Sequence, residues 1–199
     1  PRSSAPAVYL SILDGDMVAE PHFVADHEAF STRGAYVQGS RVLSDEALTR
    51  RMLADESVRA TFFTPGIGRR RHTLRMPWLA RWYAKPSQKT RGIKSCNMGF
   101  WREDLLALNG FNEGMTGWGR EDTELVTRAF HAGLQRRDLR FSALATHLYH
   151  RTRKNIVDNP NDRILDETRR LGLVRCEIGV DQHLAEFATP PPDARPASA

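Results

Sequence analysis

Three short stretches carry side chains of the kind that do chemistry. Asp14-Gly15-Asp16 closes a short apolar run from Val8 to Leu13. Two carboxylates around a glycine can aim at one hard cation whose other ligands are phosphate oxygens. The same trio is also an ordinary turn. His147-Leu148-Tyr149-His150 ends a second run. Imidazole suits Mn, Fe or Zn better than Mg or Ca, so a histidine added to two carboxylates and a pyrophosphate favours Mn²⁺. A pair of histidines at a strand end with no ligand is the plain alternative. Trp118-Gly119-Arg120-Glu121-Asp122 carries the most information. Glycines at 114, 117 and 119 permit backbone positions that other residues resist. The indole offers a flat face to a sugar ring. The paired acids open a helix, where the peptide dipoles stabilise their charged forms, and a carboxylate there can act as general base toward a hydroxyl nucleophile. An acidic helix cap with a packed tryptophan is the alternative, but capping alone does not require three nearby glycines.

These residues need elements to position them. Val8 to Leu13 reads as a buried parallel strand, being short, continuous and rich in β-branched and aromatic residues. Pro21 opens a helix that carries Phe23, Val24, His27 and Phe30 and stops before Gly34. Ala35 to Leu43 reads as an edge strand, and Ser44 caps a helix with Ala47, Leu48, Met52 and Leu53 on its apolar side. Residues 60–92 are irregular, broken by Pro65, Gly66, Gly68, Pro77 and Pro86, yet Trp78, Trp82 and Tyr83 make them too apolar for a linker. Ile93 to Met98 is a short strand, Arg102 to Leu108 a helical turn, Glu121 to Ala132 a firm helix ended by Gly133, Leu139 to Tyr149 a strand, and Asp158 to Leu171 a helix. Strands alternating with helices predict an α/β fold with a mainly parallel sheet, in which ligands gather at the carboxyl ends of strands.

The chain has 199 residues, 40% hydrophobic and 27% charged. That is enough for one core, since burial becomes efficient above roughly 100 residues, and too little for two. Residues 1–7 read as linker, 8–185 as the folded domain and the Pro/Ala-rich 186–199 as a disordered tail. No apolar run reaches the ~18 residues a membrane span needs, and no signal-peptide layout is present. Two cysteines, Cys96 and Cys176, form neither a metal pattern nor a disulfide framework and suit a reducing compartment. The net charge of +5 comes almost wholly from arginine. The basic residues are scattered among acids and are not arranged as a nucleic-acid footprint. They suit phosphate-bearing substrates or a peripheral contact with an anionic membrane surface.

The stretch from Lys94 to His150, centred on SCNMGFWREDLLALNGFNEGMTGWGREDTELVTRAFHAGL, resembles the galactosyltransferase C-terminal module of family 2 glycosyltransferases. LDGDM upstream resembles their DxD motif. The resemblance implies the C-terminal portion of a Rossmann-like GT-A domain, lacking the N-terminal half that grips the nucleoside. It implies a metal-dependent inverting transferase that moves a sugar from a nucleotide-sugar donor, a UDP-sugar, to a saccharide or glycolipid acceptor. Asp16 would ligate Mn²⁺ or Mg²⁺ together with His150 or His147. Asp14, Asp16 and Asn97 would serve the donor, Trp118 and Glu121 the acceptor, and Asp122 would be the catalytic base. Residues 151–161 would form a loop closing over donor. The implied setting is the bacterial cytoplasm, at the inner face of the membrane, in surface polysaccharide synthesis. A non-catalytic carbohydrate-binding remnant and a glycoside hydrolase with paired carboxylates are the competing readings.

Overall fold

The computed structural model describes residues 8–151 and 159–184. The expected linker and tail lie outside them, as does most of the expected donor-closing loop. Along the chain run β1 (Tyr9–Ile12), β2 (Met17–Ala19), α1 (Phe23–Phe30), β3 (Ala35–Gly39), β4 (Val42–Ser44) and α2 (Glu46–Ala54). The irregular middle holds β5 (Ile67–Gly68), a 3-10 turn at Arg70–Thr73, α3 (Pro77–Tyr83) and β6 (Pro86–Ser87). A 3-10 turn at Ser95–Asn97 then leads into β7 (Met98–Trp101) and α4 (Arg102–Ala107). The last elements are α5 (Glu121–His131), β8 (Gln135–Leu139), β9 (Ala145–His147), α6 (Asn161–Leu171) and a 3-10 turn at Val180–Gln182.

Two sheets result, one in the order β1-β7-β3-β8-β6 and a smaller one in the order β2-β9-β4-β5. The α/β class holds, but the sheets are mixed and not mainly parallel. Only β3–β8 and β4–β9 run in parallel; the other five pairs are antiparallel. A parallel pair needs a long crossover, which the stretches from β3 to β8 and from β4 to β9 supply. The Ala35–Leu43 strand is in fact two, β3 and β4. The first of them is central in its sheet and not at an edge, with Ala35 to Gln38 all buried. Conversely, the predicted buried parallel strand at Val8–Leu13 is an antiparallel edge strand, and Leu10 keeps 37% of its surface exposed. An edge strand lacks a neighbour on one side, so part of an apolar run stays open to solvent there.

The large sheet carries helices on both faces. On one, Tyr36, Met98 and Phe100 pack against Leu125, Val126 and Ala129 of α5, and the Tyr36 and Phe100 rings stack with centroids 5.0 Å apart. On the other, Val37 and Leu139 meet Phe23 and Phe30 of α1 and Ala80 and Ala84 of α3. Complete burial of Leu125 and Val126 contributes about 1.5–3 kcal/mol each, which anchors α5 firmly. A third cluster of Val42, Leu48, Met52, Ala60 and Ile67 lies under α2 and the small sheet. Asp45, not Ser44, caps α2, accepting from the Leu48 amide at 2.8 Å; the Ser44 hydroxyl pairs with that of Thr49.

Candidate active site

The Asp14-Gly15-Asp16 turn links β1 to β2, closed by the Met17 amide donating to the Asp14 carbonyl at 3.1 Å. β2 pairs with β9 so that Met17 lies opposite His147. The ladder runs one step further, with the Leu148 amide donating to the Asp16 carbonyl at 2.9 Å. That register carries the Asp16 side chain to both histidines. Asp16 Oδ2 lies 3.3 Å from His147 Nε2 and 3.2 Å from His150 Nε2. β9 is held from its other side too, because Ser44 Oγ donates to the His147 carbonyl and Thr49 Oγ1 accepts from the Tyr149 amide.

The donor set fits a divalent ion. One carboxylate oxygen and two imidazole nitrogens lie within 4.8 Å of one another. Bonds of about 2.1 Å put neighbouring ligands about 3.0 Å apart around an octahedron and about 3.4 Å around a tetrahedron, which brackets the observed spacings. The second oxygen, Asp16 Oδ1, is buried without a hydrogen-bond partner, an arrangement that costs free energy unless something fills it. Burial, the largest cause, also pushes the His147 pKa below its usual value despite the Asp16 carboxylate beside it. Burial thereby favours the neutral imidazole, the form that ligates. Asp14 is shifted upward, first by burial and then by the negative charge of Asp16.

Asp14 connects this cluster to a cavity of about 660 Å³. Its Oδ1 accepts from Ser95 Oγ at 3.4 Å, and Asp14, Ser95, Lys94 and Arg41 form one wall. Trp118, Gly119, Arg120, Glu121 and Asp122 line the same cavity. The loop that carries them is tightly built. Gly117 and Gly119 have φ of 78° and 104°, and Arg120, which is not a glycine, also adopts the left-handed conformation at 77°. Strain of that kind persists only where the surroundings enforce it. Here the start of α6 does so: Asn161 Nδ2 donates to the Gly119 carbonyl at 2.8 Å, Asn159 Nδ2 to the Trp118 carbonyl at 2.9 Å, and Arg120 pairs with Asp162. Trp118 is left 44% exposed. Among the described residues, Glu121 Oε2 is buried without a partner, and Asp122 accepts only from the neighbouring Thr123 hydroxyl.

The structure thus brings Asp14, Trp118, Glu121 and Asp122 around one cavity, with Asp16, His147 and His150 grouped beyond Asp14. Asn97 is the exception among the expected site residues. It is completely buried, and its amide is spent inside the fold. Its oxygen meets His27 Nε2 at 2.8 Å, and its nitrogen donates to the Ser40 and Ala143 carbonyls. It ties β7 to the loops after β3 and β8 and has no atom to offer a donor. Arg41, Lys94 and Ser95 line the cavity without having been singled out in the sequence; a cation and a hydroxyl close in the chain to a buried strand have no pattern of their own.

Among the described residues, no helix is long and apolar enough to cross a membrane. No curated protein matches the chain. Residues 79–151 match the sequence model of a family described as the N-terminal domain of galactosyltransferase. That span includes Lys94, the Trp118–Asp122 wall and both histidines, and supports a glycosyltransferase domain, and with it sugar transfer in general.

Proposed function

We propose that the chain forms the metal and acceptor side of an inverting glycosyltransferase that moves a sugar from a UDP-sugar to a hydroxyl of a carbohydrate acceptor. The observation that carries this reading is the grouping of Asp16, His147 and His150 next in the chain and fold to Asp14, which lines one cavity together with Glu121 and Asp122. A divalent ion, Mn²⁺ or Mg²⁺, held by those three residues would neutralise charge on the departing diphosphate. Asp14 would sit against the donor, and Arg41 and Lys94 would add positive charge near its phosphates. Trp118 would cover the sugar, and the unpartnered Glu121 oxygen would accept from acceptor hydroxyls. Asp122 would take the proton of the attacking hydroxyl as its oxygen bonds the anomeric carbon and the bond to diphosphate breaks. A single displacement inverts that carbon. The matching setting is the cytoplasmic face of a bacterial membrane, in synthesis of a surface polysaccharide.

The test couples binding to kinetics. Binding at 100 times Kd stabilises a fold by about 2.7 kcal/mol, so Mn²⁺ should raise Tm by about 5–10 °C. The Asp16→Asn and His147→Ala chains should lose that shift. With UDP-sugar and acceptor, Asp122→Asn should lower kcat by about 100- to 10,000-fold, while Glu121→Gln should chiefly raise the acceptor KM. An unchanged kcat in Asp122→Asn refutes the assigned base.

A further inference from the structure

A second cavity of about 360 Å³ adjoins the first and shares Arg41, Lys94 and Cys96 with it. Its lining is strongly cationic: Arg69, Lys89, Arg91 and Arg140 join the two shared cations. Among the described residues Asp138 is its one acid, and Arg136 already occupies that carboxylate at 2.7 Å. Among the described residues, none of the six remaining cations has a carboxylate ion partner. Arg41 Nε is in addition buried without any hydrogen-bond partner. Gathering uncompensated positive charge is unfavourable for the empty fold and focuses the field for an anion.

The backbone that carries several of these charges is anchored. Buried Arg136 donates to the carbonyls of Lys89 and Arg91 at 3.0 and 2.9 Å, fixing the loop that carries both side chains. Buried Gln38 clasps the Lys94 backbone, donating to its carbonyl at 2.9 Å and accepting from its amide at 3.2 Å. Arg69 stands in the left-handed conformation at φ 57°, a strained setting for a residue with a side chain. The Lys94 pKa is lowered, first by burial and then by Arg41, with a further push from Arg69.

We infer that this cavity binds the anionic part of the acceptor, a saccharide that carries carboxylate, sulfate or phosphate groups beside the hydroxyl that reacts. The inference rests on the transferase reading above. The donor diphosphate does not account for the cavity, because Arg69, Lys89, Arg91 and Arg140 line it alone and not the cavity next to the metal ligands. A nucleic-acid strand is the poorer fit. Strand-binding grooves alternate cations with aromatic faces on which bases stack, and among the described residues no Phe, Tyr or Trp lines this cavity. Its volume suits a small charged unit, at the low end of small-molecule sites.

Calorimetric titration of the full chain tests this with four probes: a galacturonate hexamer, a heparin hexasaccharide, neutral cellohexaose and a dT12 oligonucleotide. The acidic saccharides should bind about tenfold or more tighter than cellohexaose, and the difference should collapse near about 1 M salt, where screening acts within about 3 Å. The exposed pair Arg91→Gln/Arg140→Gln should lower acidic-saccharide affinity about tenfold, as loss of charge-assisted bonds predicts. The control pair Arg50→Gln/Arg170→Gln, on α2 and α6, should not. Mn²⁺-dependent UDP-sugar hydrolysis should persist in both pairs. Equal binding of acidic and neutral saccharides, or indifference to the Arg91/Arg140 change, overturns the inference. So does dT12 binding as tightly as the acidic saccharides with the same variant dependence. Donor hydrolysis without any saccharide preference overturns this inference alone. Saccharide preference without donor hydrolysis overturns the transferase reading and the acceptor role with it.

Discussion

Replacing Glu124 by glutamine removes one charge from an ion pair that has no access to solvent. Arg128 and Glu124 side chains are 0% and 1% exposed, one turn apart on α5. The guanidinium donates to both carboxylate oxygens at 2.8 Å, to the Gly110 carbonyl at 2.9 Å and to the Leu108 carbonyl. The Thr168 hydroxyl of α6 donates to Glu124 at 3.1 Å. The pair therefore joins α5 to the turn after α4 and to α6, whose first residues hold the Trp118–Arg120 loop. Losing one partner of a buried pair strands the other charge at a cost of about 3–5 kcal/mol. Glutamine keeps one acceptor and should fall near the lower value, about 3 kcal/mol. In a chain of this size that corresponds to a Tm drop of about 6–12 °C. Urea unfolding followed by tryptophan fluorescence reads the loss as a lower midpoint at unchanged slope. The double change Glu124→Leu/Arg128→Met should cost less than the sum of the two single changes, because no charge is left behind. A Glu124→Gln loss below about 1 kcal/mol would mean that water reaches Arg128 and that the pair does not clamp these three elements.

Three further outcomes follow from the same structure. Gly39→Ala should cost about 1–3 kcal/mol, since a Cβ there would fall 2.1 Å from Asn97 Oδ1; a neutral effect in chemical denaturation would contradict the tight seat of Asn97. Asn161→Ala removes the bonds to the Thr116 amide and the Gly119 carbonyl. It should raise acceptor KM while the Mn²⁺-induced Tm shift stays, because the candidate metal ligands sit on other elements; loss of that shift would contradict the separation. His27 is buried, and burial lowers its pKa although Asn97 and Asp26 oppose the shift. The unfolded chain then binds the extra proton more readily, so His27 contributes stability above about pH 6.5 that is lost as pH falls through its folded value. Unfolding free energy should decline as pH falls below about 6.5, and a flat profile there would show that His27 is solvated.

Part of the candidate site was legible in residue types and spacing. α5 runs from Glu121 to His131, as its apolar spacing and Gly133 predict, because a helix keeps its periodicity wherever it packs. Gly117 and Gly119 of the Trp118 loop take the left-handed backbone that glycine adopts without strain, whereas Gly114 does not. Asp14, Asp16, His147 and His150 were recognisable as ligand types at the ends of apolar runs. Strand direction was not legible, because an apolar run looks the same whether its neighbour is parallel or antiparallel; β1 therefore proved an edge strand and β3 a central one. Asn97 shows the same limit at a single residue. An asparagine before a strand can face a ligand or a buried carbonyl, and only the approach of Ser40, Ala143 and His27 decided for the interior. The adjacency of Asp16 to His147 and His150 depends on the β2–β9 register, and the cationic cavity on bringing Arg41, Arg69, Arg91 and Arg140 together from separate loops. The chain itself determined which groups could do chemistry; long-range strand pairing decided which of them meet, because a register shift of one residue turns every side chain to the opposite face.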